Sequence, residues 1–304
     1  MTDERYKIIA RQIMNHMELE ALRGLEECCN SHEGLKLRLN WGMLTVRLPD
    51  ETNDFLCYDE SEELVGYLGV YGFGGSEIEI SGMVHPEHRR RGIFSDLLKA
   101  ALQVFIEKGV TDVLIINERA SGSGAAFVKS FDALVDHSEY RMELQEIQPA
   151  RENKVRVTVK TAGPGDIPAL AHIDAICFDM PDEETIKFYE PSRLSKNDQL
   201  FKAELEGTVI GMFKLHNEGR DVLIFGFGLL PEYRGKGFGR EILNIAVSRA
   251  LEQKPEKVAL EVDCNNEIAL SLYSSSGFGI ITTYDYFRLQ KRIGETGICG
   301  VGKS

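Results

Sequence analysis

Long apolar runs, paired cysteines and an excess of basic residues are all missing from this chain of 304 residues. No run of eighteen apolar residues occurs, and the opening MTDERYKIIARQIMNHM lacks the basic-then-apolar order of a signal peptide. The expectation is a cytoplasmic protein with no membrane partner. The six cysteines are scattered, with no C-x-x-C pair, which argues against a disulfide framework and for reduced, mostly buried thiols. A formal net charge of −13 repels polyanions, and the one basic cluster is HRRRG at 88–92, so no nucleic-acid partner is expected.

What is present is a core-forming composition and a repeat. At 43% hydrophobic, the chain is long enough for two domains. Pro86 to Leu98 reads PEHRRRGIFSDLL and Pro231 to Leu243 reads PEYRGKGFGREIL. An offset of 145 carries Pro86, Glu87, Arg89 and Gly92 onto Pro231, Glu232, Arg234 and Gly237. The same offset carries Gly66 onto Gly211, DFLCYDE onto QLFKAEL, and Val113 onto Val258. Order and spacing held over that distance are the mark of duplication.

The copies differ at their starts. The first opens with DERYKIIARQIMNHMELEALRGLEECC, whose apolar spacing is helical; its charged face suits core packing or a dimer contact, and a monomer or homodimer is expected. The second opens with a β-rich run and a helix signalled by Asp166 and Pro168. The polar, proline-containing stretch EIQPARENKV at 146–155 marks the boundary, giving domains 1–149 and 150–304.

In the second copy the expected order is strand 155–160, helix 168–178, a short helix 183–189, and strands 199–205, 208–216 and 221–230. Helix 236–252, strand 256–262, helix 266–275 and closing strands within 278–290 follow. Consecutive strands with short turns pair antiparallel, and a strand, helix, strand succession makes a crossover. The fold class is α/β, a mixed, mostly antiparallel sheet with flanking helices, built twice.

The turn after strand 221–230 has a chemistry of its own. Gly235, Gly237 and Gly239 remove side-chain bulk, Arg234, Lys236 and Arg240 supply positive charge, and a helix start presents unpaired N–H groups. Phosphate is the ligand such a turn suits, and a plain charged turn is the alternative. The spacing fits neither the dinucleotide fingerprint nor the P-loop. GICGVGKS at 297–304 does match the P-loop pattern, but no helix follows Ser304 to aim its N–H groups. His85 and His88 flank Pro86 without a third ligand at usable spacing and read as loop residues, so no metal is expected.

Arg234, Gly237 and Gly239, in an R-x-x-G-x-G turn after a strand and Pro231, resemble motif A of the GNAT (GCN5-related) N-acetyltransferases. VDCNNEIALSLYSSSGF, with Asn266, Tyr273, Gly277 and Phe278, is similar to that family's second motif. The resemblance covers the second half almost entirely, and the first half through the repeat; tandem members of the family are known. It implies that acetyl-CoA is the cosubstrate, that backbone groups of Leu229 and Leu230 pair with the pantetheine arm, and that residues 234–239, including Phe238, hold the pyrophosphate. It also implies that Asn266 lies near the cofactor and that Tyr273 is the general acid for the CoA thiolate.

A phenol within hydrogen-bond reach of a leaving thiolate can supply its proton, which is an independent reason to single out Tyr273. Glu261 is the nearest candidate base by register, with His216 and Asp263 behind it. In the first copy Arg89, Arg91 and Gly92 could still bind phosphate, but Arg90 and Phe94 replace two glycines, and Val128 and Ser121 stand where Tyr273 and Asn266 are expected. The first copy is therefore expected to be non-catalytic. The expected activity is N-acetyl transfer to a small-molecule primary amine, with a non-catalytic acyl-CoA-binding module as the alternative.

Overall fold

The computed structural model describes residues 5–44, 46–72, 76–147, 156–180, 185–189 and 196–289. The chain forms two compact units, residues 1–138 with 284–304, and residues 139–283. This division differs from the expected 149/150 boundary: the polar stretch at 146–155 lies mostly outside the described residues, and the units part at 138/139 and 283/284. Two long strands account for the difference, β6 (Leu134–Leu144) and β12 (Phe278–Arg288), each of which begins in one unit and ends in the other.

In the first unit, β1 (Lys7–Arg11), β2 (Asp54–Tyr58), β3 (Leu64–Gly72), β4 (Glu77–Val84) and β5 (Asp112–Glu118) pair in that order. Residues 284–288 of β12 then pair antiparallel with β5, Tyr284 opposite Glu118 and Arg288 opposite Leu114. Only β4 and β5 run parallel, because the helix α3 (Ile93–Glu107) crosses between them. One sheet face is covered by α3, through Ile93, Leu97, Leu98, Ala101 and Phe105. The opposite face carries α1 (His16–Glu33) and the short helix α2 (Trp41–Leu44), through Leu22, Leu25, Trp41 and Leu44.

The opening is not helical throughout, as its spacing suggested. Lys7–Arg11 is an edge strand, and α1 starts only at His16. The start is set by a capping box: the Asn15 side chain accepts from the Glu18 N–H at 3.0 Å and the Glu18 carboxylate accepts from the Asn15 N–H at 2.9 Å.

The second unit repeats this plan. β7 (Thr158–Thr161), β8 (Asp198–Leu205), β9 (Thr208–Glu218) and β10 (Asp221–Leu229) form an antiparallel run; β11 (Val258–Asp263) pairs parallel with β10, and residues 139–143 of β6 pair antiparallel with β11. Helix α6 (Phe238–Glu252) packs on one face with Ile242, Leu243, Ala246 and Ala250. Helix α5 (Ile167–Phe178) packs on the other with Leu170, Ala171 and Ile173 against Met212 and Tyr189. Gly66 and Gly211 both stand where a side chain has no room: a Cβ on Gly66 would come within 2.8 Å of Ile93 on the crossover helix, and one on Gly211 within 2.7 Å of Gly228 O and 3.2 Å of Ile242.

Candidate active site

The phosphate turn of the second unit is built by backbone. β10 ends at Leu229, a short 3₁₀ turn spans Pro231–Tyr233, and Gly235 (φ 73) and Gly237 (φ 87) take left-handed conformations before α6 begins at Phe238. Among the described residues the N–H groups of Gly235 to Gly239 find no acceptor, which leaves a row of donors at the positive end of a 15-residue helix. Acetyl-CoA carries a diphosphate, and this donor set fits it.

The cations are arranged differently from the sequence expectation. Arg234 Nε donates to Leu229 O at 2.9 Å, and Arg240 donates to Ser275 O at 3.1 Å and Ser275 Oγ at 2.6 Å. Arg234 thus pins the turn to the strand end, and Arg240 ties α6 to the helix α7 (Glu267–Ser274). Lys236 remains over the Tyr233 ring at 5.8 Å. The cation that sequence reasoning missed is Arg156, which stacks on Phe238 at 4.2 Å, donates to Lys236 O at 2.9 Å and pairs with Glu241. Its distance along the chain from the motif left no signal to find it by.

Next to the turn, the sheet opens. β10 pairs with β11 only from Val222 to Ile224, opposite Val258 to Leu260, and its register with β9 shifts between Phe225 and Gly228, where Gly226 has φ 54. This is a β-bulge, and it turns the end of β10 away from β11. Leu230 N–H is spent on Ile210 O at 2.9 Å and so is not available to a pantetheine arm, while Leu230 O, which accepts from Tyr233 N–H at 3.0 Å, keeps its second lone pair. By the alternation of an antiparallel ladder, Leu229 N–H points the other way, into the opening.

Tyr273 lies on α7, 7% exposed, with its ring edge-on to Phe227 at 6.2 Å and to Phe278 at 6.3 Å. Its hydroxyl has no hydrogen-bond partner among the described residues. Burial pushes its pKa up to about 12. A tyrosine in this state holds its proton at neutral pH, which suits an acid and excludes a base.

Two expected site residues have structural employment. Asn266 caps α7, accepting from Ala269 N–H at 3.0 Å, and Ser121, its counterpart by the offset, caps α4 (Gly122–Ser130) by accepting from Gly124 N–H at 3.1 Å. What the repeat keeps at this position is a helix cap. Glu261 faces Arg141 across the β11–β6 pair, Oε1 3.5 Å from Nη1, so a cation holds the carboxylate that was the first choice of base.

The first unit keeps the shape of the turn. A 3₁₀ turn spans Pro86–His88, Arg90 has φ 64 where Gly235 has φ 73, and Gly92 has φ 82 where Gly237 has φ 87. Arg89 Nε donates to Val84 O at 3.1 Å, the counterpart of the Arg234 bond, and also pairs with Glu33; Arg91 donates to Tyr6 Oη and Glu87 O, both at 2.9 Å. Arg90, rather than Arg89 or Arg91, is the guanidinium left without a partner among the described residues. A thiol shares each strand-end carbonyl, Cys29 on Val84 O and Cys177 on Leu229 O, both at 3.5 Å. These cysteines are 148 residues apart, so the gapless offset hid the match.

The first unit lacks the bulge of the second, although its parallel pair also ends early, β4 meeting β5 only from Glu77 to Ile80. The β3–β4 register runs without a shift from Gly66–Val84 to Gly72–Ile78, and Val128 is a buried core residue. The segment after α1 is tied along the α1 face: Lys36 N–H donates to Glu118 at 2.5 Å, Tyr284 Oη to Lys36 O at 2.8 Å, Tyr71 Oη to Leu39 O at 2.8 Å, and Ser81 Oγ to Arg38 O. His85 and His88 are engaged with Cys28 at 3.3 Å and Tyr6 at 3.2 Å, and no metal-holding group of three or more side chains occurs among the described residues. GICGVGKS lies outside the described residues. No described helix is long and apolar enough to cross a membrane.

A bulged strand opening beside its parallel neighbour, followed by a glycine turn of free N–H groups and a crossover helix, defines the architecture of a CoA-dependent acyltransferase. The sequence model described as the acetyltransferase (GNAT) family matches residues 10–125 and again 167–278, and the chain belongs to that family, whose members use acetyl-CoA, as a tandem N-acetyltransferase. It is similar to mycothiol acetyltransferases of Thermobispora bispora, 28% identical over 277 residues covering 85% of this chain and 92% of the relative. The one from Mycolicibacterium smegmatis is 24% identical over 277 residues, covering 86% and 92%. Among solved structures, a GCN5-related N-acetyltransferase from Sphaerobacter thermophilus superposes with a TM-score of 0.75 at 17% identity, covering 96% of this chain and 97% of that one. A tandem GNAT protein from the clavulanic acid biosynthesis pathway does so with a TM-score of 0.74 at 14% identity, covering 96% and 100%. At these identities the structures speak for the fold alone.

Proposed function

We propose that the second unit moves the acetyl group of acetyl-CoA to a primary amine of a small molecule by direct attack, with Tyr273 as the acid that protonates the departing thiolate. The observation that carries this reading is the Tyr273 hydroxyl, protonated and unpartnered, in the unit whose β10 is bulged and whose turn offers free N–H groups. Those N–H groups bind the diphosphate, and Leu229 N–H, facing the opening, polarises the thioester carbonyl. Holding amine and thioester side by side supplies much of the acceleration. The relatives named mycothiol acetyltransferases support a small-molecule acceptor, and the acidic balance of the chain favours a cationic one by steering.

Acetyl transfer from acetyl-CoA to a panel of spermidine, L-lysine, L-cysteine amide and a primary-amine aminoglycoside tests the reading. At least one should be acetylated with release of CoA thiol. Arg234→Glu, which puts a carboxylate beside the diphosphate and breaks the bond to Leu229 O, should abolish transfer; retained activity would move the chemistry to the first unit.

The first unit is a non-catalytic acyl-CoA holder in this reading. Arg90 supports it, because a left-handed arginine costs about 1–2 kcal/mol and persists here in the conformation its glycine counterpart uses. Calorimetric titration should give about two acetyl-CoA bound per wild-type chain and about one for Arg90→Glu, with unchanged turnover. One site in both proteins would remove this assignment.

A further inference from the structure

The reaction described above needs a base, and the residue first in line for it, Glu261, is held by Arg141. The face of the second sheet that carries α5 has another. His216 on β9 is 7% exposed, and its Nδ1 lies 2.6 Å from Asp198 Oδ1 on the neighbouring β8, the two residues being direct register partners. A carboxylate at that distance accepts a hydrogen bond from Nδ1–H, which places the proton on Nδ1 and leaves Nε2 as a lone-pair acceptor in the neutral ring. Nε2 has no partner among the described residues.

The position matters as much as the tautomer. On its other side His216 pairs with Leu223 of β10, one residue below the last parallel pair, Ile224 with Leu260, where the sheet opens. Its ring stands edge-on to Phe225 at 6.4 Å, and Phe225 is the residue at which the bulge begins.

The other charged groups described on this face are either paired or lie away from the opening. Lys214 donates to Asp174 Oδ2 at 2.9 Å and sits over Tyr189 and Phe225; Asp174, on α5, also accepts from Tyr189 Oη at 2.6 Å. Lys202, further along on β8, pairs with Asp166 and Glu204, and Glu218 and Asp221 face each other at the far end of the β9–β10 ladder. An ammonium that donates and a carboxylate that accepts two bonds are poor proton acceptors. Among the described residues, His216 is the basic side chain of this face that lies beside the place where the sheet opens.

We propose that His216, held in its tautomer by Asp198, is the base that takes the proton from the acceptor ammonium at the edge of the β10 bulge. The inference rests on acetyl transfer by this unit. His216 Nε2 accepts one proton from R–NH₃⁺ and passes it to solvent; the freed amine forms the C–N bond as the C–S bond breaks; Tyr273 protonates sulfur, and the second proton lost by nitrogen restores the phenol. The sum is ammonium plus thioester giving amide, thiol and one proton.

The test uses the full chain, acetyl-CoA and the fastest amine of the panel, with kcat/KM followed from about pH 5 to about pH 10. His216→Gln should lower kcat/KM about 100-fold near neutrality, leave acetyl-CoA affinity within about twofold, and replace the acidic limb by a rise that follows the free-amine fraction. Asp198→Asn keeps size but can donate as well as accept, so it no longer fixes the imidazole tautomer; it should cost about tenfold in kcat/KM and leave acetyl-CoA affinity within about twofold. Wild type that acetylates no amine would sink the activity itself. Wild type active with either folded variant retaining its rate within about threefold and its acidic limb would overturn the role of His216, and Asp198→Asn decides the matter if His216→Gln fails to fold.

Discussion

Tyr273→Phe should lower kcat by about 100- to 1000-fold while leaving acetyl-CoA affinity and folding almost untouched. The separation of effects follows from where the ring and the hydroxyl spend themselves. The ring packs between Phe227 and Phe278 in the core of the second unit, and phenylalanine keeps that packing. The hydroxyl bonds to nothing described, so its removal leaves no buried group unpaired. What is lost is the proton for sulfur. With the phenol raised to about 12, ionisation of Tyr273 cannot shape a pH profile near neutrality. The sign for stability is that of a raised pKa: the contribution is complete below the ordinary tyrosine value and is lost as pH climbs through the folded value of about 12. Single-turnover acetyl transfer and direct binding of acetyl-CoA separate the two quantities; unchanged rates would remove Tyr273 from the chemistry.

Severing the chain at 149/150, where composition places the domain boundary, should leave neither fragment natively folded when expressed alone. Residues 150–304 would lack the β6 segment that pairs with β11, in which Met142 is fully buried. Residues 1–149 would lack residues 284–288, whose Tyr284 and Tyr286 are each 1% exposed in the first unit. Each buried aromatic represents about 1.5–3 kcal/mol of transfer free energy, a large share of a domain's net stability. A stripped sheet edge also invites aggregation. Circular dichroism melts of the two fragments, alone and co-expressed, check this: cooperative unfolding of either fragment alone at the temperature of the intact chain would contradict it.

The backbone of the turn in the second unit was legible in the sequence because it is local. The strand, the glycine turn and the helix follow one another, so PEYRGKGFGREIL carried the turn's shape, and the offset of 145 carried its echo. Strand and helix order in the second half came through with ends moved by a few residues, apart from the short helix at 183–189, described only from 185. What stayed hidden depends on pairing across the sheet. Arg141 opposite Glu261 and Asp198 beside His216 are register facts, invisible until strands are placed side by side. Arg156 reaches the turn from more than a strand away, and the Cys29 and Cys177 match was lost to a three-residue slip ahead of the repeat. Asn266, expected near the cofactor, has a second role that was readable: a polar residue three before Ala269 at a helix start is a cap. The opening strand was lost because a cap of the same kind was overlooked, since Asn15 and Glu18 announce where the helix begins.

The long strand at the chain's end has a consequence in time. The first unit holds nearly all of its residues by position 138, yet the strand that closes its sheet is residues 284–288, and Tyr284 bonds a carbonyl 248 positions earlier. Synthesis at about 5–20 residues per second leaves that sheet with an open edge at β5 while everything after it is made. The half of the protein that is born first is therefore finished last, and a chaperone that shields β strands would find its client there.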